Sequence, residues 1–196
     1  MKKFSNFTQI AIFIVVIFAS IQVADAQDRK VLAEAQHISG DKFSFSAKTS
    51  KGAAVYGVNK PSATVLAAID KGLADLFAIA RKNGYNKRLN YSDYSIFIAR
   101  PDRTKNTDGN YSPDIAVGAG QYAGSVYDRG GFIYAAGMVI SNDPCAFLIA
   151  EHTKEFAGVS EIVRYEGEHL VLYHNDRNRY NATADHSKGG GHPILQ

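Results

Sequence analysis

The sequence predicts an α+β fold: a single compact domain with a largely antiparallel sheet, one helix in the N-terminal half and one C-terminal helix. Two helix-period stretches, Pro61 to Lys82 and Val159 to Tyr180, flank a run of short apolar segments separated by glycine- and asparagine-rich turns. The resulting order is β-α-β-β-β-β-α, which suits helices packed on a sheet built mostly from hairpins.

Residues 27 to 40 are mixed in character and read as a loose lead-in. Lys42 to Ala47 alternates apolar and polar residues, as a half-buried strand does. In the first helix Val65, Leu66, Ile69, Leu73, Leu76, Phe77 and Ala80 recur at three- and four-residue steps, with Asn59 and Gly84 at the capping positions. Tyr94 to Ala99 reads as a strand, and the polar stretch Arg100 to Pro113 as a loop. Within it, Asn106 to Asn110 has the look of a calcium loop, but its glycine is misplaced and no glutamate closes it, so it is a turn. Two strands follow, around Ile115–Val117 and Gly131–Ile140. The glycine-rich connection between them leads through Asp128-Arg129-Gly130-Gly131 into an apolar run, a hairpin context and not a phosphate loop. Ala146 to Ile149 is one more buried strand. The second helix begins near Ser160-Glu161, a serine cap with an early glutamate.

The first 26 residues have a separate character. Lys2 and Lys3 precede the apolar run Ile10 to Ala19, and Ala24-Asp25-Ala26 supplies a small-x-small ending. These are the parts of a secretory signal peptide, and the apolar core is short for a membrane span. Cleavage is expected after Ala26, leaving residues 27 to 196 as an exported, periplasmic or extracellular domain with no membrane association of its own. The sequons at Asn90, Asn110 and Asn181 matter only in a eukaryotic secretory route.

Charge narrows the partners. The chain carries 22 Lys and Arg against 19 Asp and Glu, a net charge of +3. That balance gives no electrostatic case for nucleic acid or for an anionic membrane surface. Cys145 is the only cysteine, so no intramolecular disulfide forms, and its apolar setting marks a buried, inert thiol. Ser125 has no neighbouring base to make it a nucleophile.

Chemistry-bearing residues concentrate at the C-terminal end. Four of the six histidines lie from His169 onward: His169, His174, His186 and His192. On the second helix Tyr165 and His169 are four residues apart on one side, beside Glu166 and with Ile162 and Leu172 sharing the face. A glutamate and a histidine on an apolar face need a partner, a hydrogen bond or a metal. The five residues Tyr165-Glu166-Gly167-Glu168-His169 resemble the HExxH helix of zincin-type metallohydrolases, with Tyr165 where the first histidine stands.

That resemblance implies Zn2+ as cofactor, His169 as a ligand and Glu166 as general base. A metzincin-like continuation would place glycine and histidine where this chain has Leu172 and Asn175. Asp176 returns to the face of His169, and the glycines before His192 allow the tail to fold back. The expected site is therefore His169, Asp176, His186 and His192 as metal ligands with Glu166 activating water.

The competing expectation is a non-enzymatic exported binding or structural module. On that view Glu166 and His169 form a buried polar network, and Tyr85, Tyr91, Tyr94, Tyr111, Tyr122 and Tyr127 offer contact surface in the connections. Asp185-His186 followed by glycines and His192 has a faint likeness to metal-dependent nuclease fingers, which require a following helix and a basic surface.

Overall fold

A computed structural model describes residues 29–105, 108–118, 132–186 and 189–195. The signal-peptide segment, Asn106 of the calcium-like turn and most of the glycine-rich connection, including Ser125 and Tyr127, lie outside the described residues. The fold is α+β, with a five-stranded sheet at its centre. Its strands are β1 (Phe45–Lys48), β2 (Ala54–Gly57), β3 (Tyr94–Ala99), β7 (Gly137–Ser141) and β8 (Cys145–Ala150), in the spatial order β1-β2-β3-β8-β7. A smaller antiparallel sheet joins β4 (Arg103–Lys105), β5 (Tyr111–Gly118) and β6 (Phe132–Ala135).

The five-stranded sheet is mixed, which corrects the expectation of a largely antiparallel one. β1 pairs with β2 and β7 with β8 in antiparallel fashion, but β2, β3 and β8 run parallel. The cause is β2, to which the sequence reading assigned no element. With a strand before the first helix, β2, α2 (Ala63–Lys82) and β3 become a crossover unit, and such a unit makes its two strands parallel.

Four helices pack on these sheets. Residues 29–39 form α1, where a loose lead-in was expected. Val31, Ala35 and Ile38 are buried at four- and three-residue steps, and Gly40, at φ 69°, ends the helix. α2 is capped by Ser62, whose side chain accepts the Val65 N–H, and not by Asn59. α3 spans Ala157–Asn175 and α4 spans Arg177–Thr183. A single helix to Tyr180 was expected; the chain instead breaks at Asp176. Asn175 explains the break: its Oδ1 accepts from the N–H of Asn86 and Lys87, and its Nδ2 donates to the carbonyls of Lys87 and Val171. Asp176 then caps α4 by accepting the Arg179 N–H at 3.0 Å.

The core has two layers. On one face of the large sheet, Ile96, Ile98, Phe147 and Ile149 meet α2 and α3. On the other, Phe97, Ala99, Leu148 and Ala150 meet α1 and the inner face of β5 through Ile115 and Val117. Strands covered on both faces have no polar alternation, which is why β8 reads as an unbroken apolar run and β3 as one interrupted only at Ser95. α2 and α3 cross closely because both carry glycine at the contact. A Cβ on Gly72 would lie 2.6 Å from the Ser160 carbonyl, and one on Gly167 would lie 2.5 Å from Leu76 Cδ2. This crossing fixes the height and rotation of α3, and so aims the residues after Gly167. Among the described residues no helix is long and apolar enough to cross a membrane.

Candidate metal centre

Three consecutive residues of α3 face three different neighbours, as steps of about 100° require. Glu166 turns toward β7. Gly167 faces α2. Glu168 turns toward the C-terminal tail and is fully buried. His169 follows at 8% exposure.

The tail folds back onto this helix, as expected. Glu168 Oε1 accepts the Ile194 N–H at 2.8 Å, and Glu168 Oε2 lies 3.1 Å from His192 Nδ1. The latter pair is at ion-pair distance but is not aligned as a hydrogen bond. Backbone bonds shape the return: Gly190 N–H to Asp185 O, and Gly191 N–H to Thr183 O. A side chain at Gly190 would collide with the Thr183 carbonyl, so the turn requires glycine there.

This return brings three histidines together. His169 comes from α3, His186 from the turn after α4 and His192 from the tail. One ring nitrogen of each lies within 4.8 Å of the other two. The ring centroids make a nearly equilateral triangle with sides of 5.1, 4.8 and 4.8 Å. Three imidazoles on a tetrahedral ion at about 2.05 Å from each nitrogen would have centroids roughly 5.2 Å apart and nitrogens roughly 3.3 Å apart. The ring centroids lie close to that spacing, while the nitrogens are within 4.8 Å of one another. These three histidines could hold a metal ion.

The electrostatics suit a cation that requires neutral imidazoles. Burial, and then the proximity of His192 and His186, hold His169 down to about 3. Burial also lowers His186, with His192 adding to the effect, while Glu168 and Asp185 oppose it. His169 Nδ1 is buried with no hydrogen-bond partner among the described residues, an orphan that a metal would satisfy. A carboxylate placed behind a histidine Nδ1, as Glu168 is behind His192, is the arrangement that, once hydrogen-bonded, would fix a ligand's tautomer and leave Nε2 for an ion.

Glu166 occupies a separate position. Its carboxyl lies over Gly137, where a Cβ would come within 2.9 Å of Oε1, and the Val139 N–H donates to it. Burial raises it to about 8. Glu166 and His169 line a cavity of about 190 Å³ together with Asn142 and Tyr180. Of the three clustered histidines, His169 lines this cavity.

Asp176 is not brought to the histidines. It accepts from the Arg179 N–H and from the Tyr85 hydroxyl at 3.1 Å; the Arg179 N–H first, then the Tyr85 hydroxyl and the Arg179 charge, hold its carboxyl below the usual range against some desolvation. His174 likewise points away, its Nε2 2.7 Å from the Asn142 carbonyl. Tyr165, at the position of the missing zincin histidine, is 37% exposed and stacks on His192 at 4.6 Å. Cys145 is buried, and desolvation pushes its thiol up to about 12, in keeping with an inert role. Sequence reasoning passed over Glu168. Its signal was present: it lies beside Gly167 and one turn after Arg164, on a helix with no consistently polar face.

No family model, curated protein or solved structure matches the chain.

Proposed function

We propose that this protein is an exported metalloprotein whose His169, His186 and His192 hold a zinc ion at a hydrolytic site. The observation that carries the reading is the convergence of three imidazoles from three chain segments, with a fully buried glutamate behind one of them. Three nitrogen ligands and an open fourth position are the donor set of a catalytic zinc centre. A zinc ion held there would lower the pKa of a water it binds to near 7. Glu166, which lines the same cavity as His169, would be the residue to accept a proton from such a water and pass it to the leaving group. Its raised pKa suits such exchange near neutral pH. The basic, apolar and small-residue succession over residues 1 to 26 supports export with cleavage after Ala26.

A second reading rests on the grip of Glu168 on the tail: the same residues form a polar network that only anchors residues 189–195. Elemental analysis of the untagged protein, purified without chelator, separates the two. About one zinc per chain, absent from His169→Ala, and a rise in melting temperature with added zinc are expected. Protein without metal that shows no thermal response to zinc would overturn the metal site. A peptidase and esterase screen of the zinc-loaded protein against Glu166→Gln then tests hydrolysis. The N-terminal residue of the exported form, read by mass spectrometry, tests the cleavage site.

A further inference from the structure

The two edges of the central sheet are built differently. At β7 the ladder is interrupted between Val139 and Ser141, and the Val139 N–H is taken by the Glu166 carboxyl. An irregular ladder and a side-chain acceptor both close an edge to further strands. β1, at the opposite edge, has neither. Its pairing with β2 runs without a break from Phe45 opposite Gly57 to Lys48 opposite Ala54, and no proline interrupts it. Among the described residues no strand pairs with its outer side. Phe45, Ser46 and Lys48 are exposed, and Ala47 is half-buried.

Thr49 fixes which main-chain groups face outward. Its N–H donates to the Ala53 carbonyl and its carbonyl accepts the Gly52 N–H, so both turn toward β2 and its turn. Main-chain direction alternates along an antiparallel ladder. Ala47 and Phe45 therefore also bond inward, and Ser46 and Lys48 present their N–H and C=O groups to solvent. Side chains alternate as well: Phe45 and Ala47 stand on the face of Val55, Ser46 and Lys48 on that of Tyr56. Phe45 is 44% exposed, the most exposed large hydrophobic side chain among the described residues.

The charge along this edge has one sign. From Lys42 to Ile69 the chain carries Lys42, Lys48, Lys51 and Lys60 and no aspartate or glutamate. The carboxylates that bound the stretch are buried and committed elsewhere: Asp41 bridges to Arg100, and Asp70 accepts from the Ser50 hydroxyl and the Lys51 N–H. Among the described residues neither Lys42 nor Lys48 reaches a carboxylate at ion-pair distance. A second copy of β1 would bring lysines to lysines, which disfavours self-pairing. A strand with carboxylates on one face and apolar residues on the other would meet the lysines with one and cover Phe45 with the other. We propose that β1 accepts an extended acidic peptide of a partner protein as an added strand, held by the outward main-chain groups of Ser46 and Lys48. This surface is independent of the histidine cluster.

The test is an amide NMR titration of the folded protein with a capped peptide of alternating glutamate and valine. One control is the same peptide N-methylated at every residue; the other replaces its glutamates by lysine. The acidic peptide should half-saturate below about 1 mM, with shifts and slowed hydrogen exchange at the Ser46 and Lys48 amides. Ser46→Pro removes one outward N–H where an edge strand tolerates proline, and should abolish binding. Lys48→Glu turns attraction into repulsion and should weaken it about tenfold. An equal response to either control, shifts centred away from β1, or no response to the acidic peptide would overturn the proposal. So would concentration-dependent shifts of the same amides without peptide, which would assign the edge to a second copy, or equal shifts with phosphatidylglycerol vesicles, which would assign it to a lipid surface. Should Ser46→Pro not fold, Lys48→Glu decides: undiminished binding by that variant refutes the site.

Discussion

Glu168→Gln is the most discriminating perturbation of the histidine cluster. The carboxyl serves two partners, the Ile194 N–H at 2.8 Å and His192 Nδ1 at 3.1 Å. A glutamine has the same shape and keeps its carbonyl oxygen for Ile194, but it presents an amide NH2 to His192. A donor facing Nδ1 forces that nitrogen to accept, which moves the ring proton to Nε2 and blocks it as a ligand. Losing such a supporting carboxylate costs about 10- to 100-fold in metal affinity, which is about 1.4–2.7 kcal/mol. The tail hydrogen bond survives, so metal-free stability should change by no more than about 1 kcal/mol. Zinc affinity measured by competition with a chromophoric chelator, beside urea unfolding of the metal-free protein, gives both numbers. An unchanged zinc affinity together with a large loss of metal-free stability would show that Glu168 only anchors the tail.

Three further outcomes follow from the geometry. Glu166 is raised to about 8 from its usual 4.5 by burial, so the folded metal-free protein holds a proton that the unfolded chain releases. That contribution is complete below the lower value and is lost as pH rises through the upper one, at most about 1.4 kcal/mol per pH unit. Urea unfolding across this range should show the slope in the wild type and lose it in Glu166→Gln; equal slopes would refute the buried carboxyl. Gly72→Ala sets a Cβ 2.6 Å from the Ser160 carbonyl and should cost about 1–3 kcal/mol by urea unfolding. Asp176→Ala removes the cap of α4, at about 0.5–2 kcal/mol, and should leave zinc content unchanged. Loss of zinc in that variant would return Asp176 to the ligand set.

Much of the helical framework was legible because periodicity reports burial directly. α2 and β3 stand where the spacing of Val65, Ile69, Leu73 and Leu76 and the run Tyr94–Ala99 put them. α1 was legible too, in Val31, Ala35 and Ile38, but three buried positions in eleven residues are faint against a polar background. β2 is four residues long, and nothing in Ala54-Val55-Tyr56-Gly57 separates a short buried strand from a turn. Missing it removed the crossover and with it the parallel pairing. The break at Asp176 depends on Asn86 and Lys87, far away in sequence, so no local pattern could report it. That break also accounts for the make-up of the cluster: a continuous helix would carry Asp176 back beneath His169, whereas the bent chain turns it to Tyr85 and His186 joins His169 and His192.

The two glutamates of α3 show how a one-helix motif misleads when its neighbours are unknown. The HExxH pattern directs attention to Glu166, because it assumes that the ion is held by the helix itself. In the proposed site one helical histidine would contribute, and two would come from the segments after α4, of which Glu168 contacts the one that carries His192. The residue that supports the ligands therefore lies between the proposed base and the first ligand, with Gly167 against Leu76 setting the phase of all three. Metal affinity and tail docking are then one equilibrium: whatever loosens residues 189–195 weakens the ion, and the ion stabilises the docked tail by the same free energy. Hydrogen exchange at the Ile194 amide should slow on adding zinc to the wild type and stay unchanged in His169→Ala, whose tail retains its glutamate partner but has lost one ligand. An Ile194 amide indifferent to zinc in the wild type would mean that the tail and the ion are not coupled.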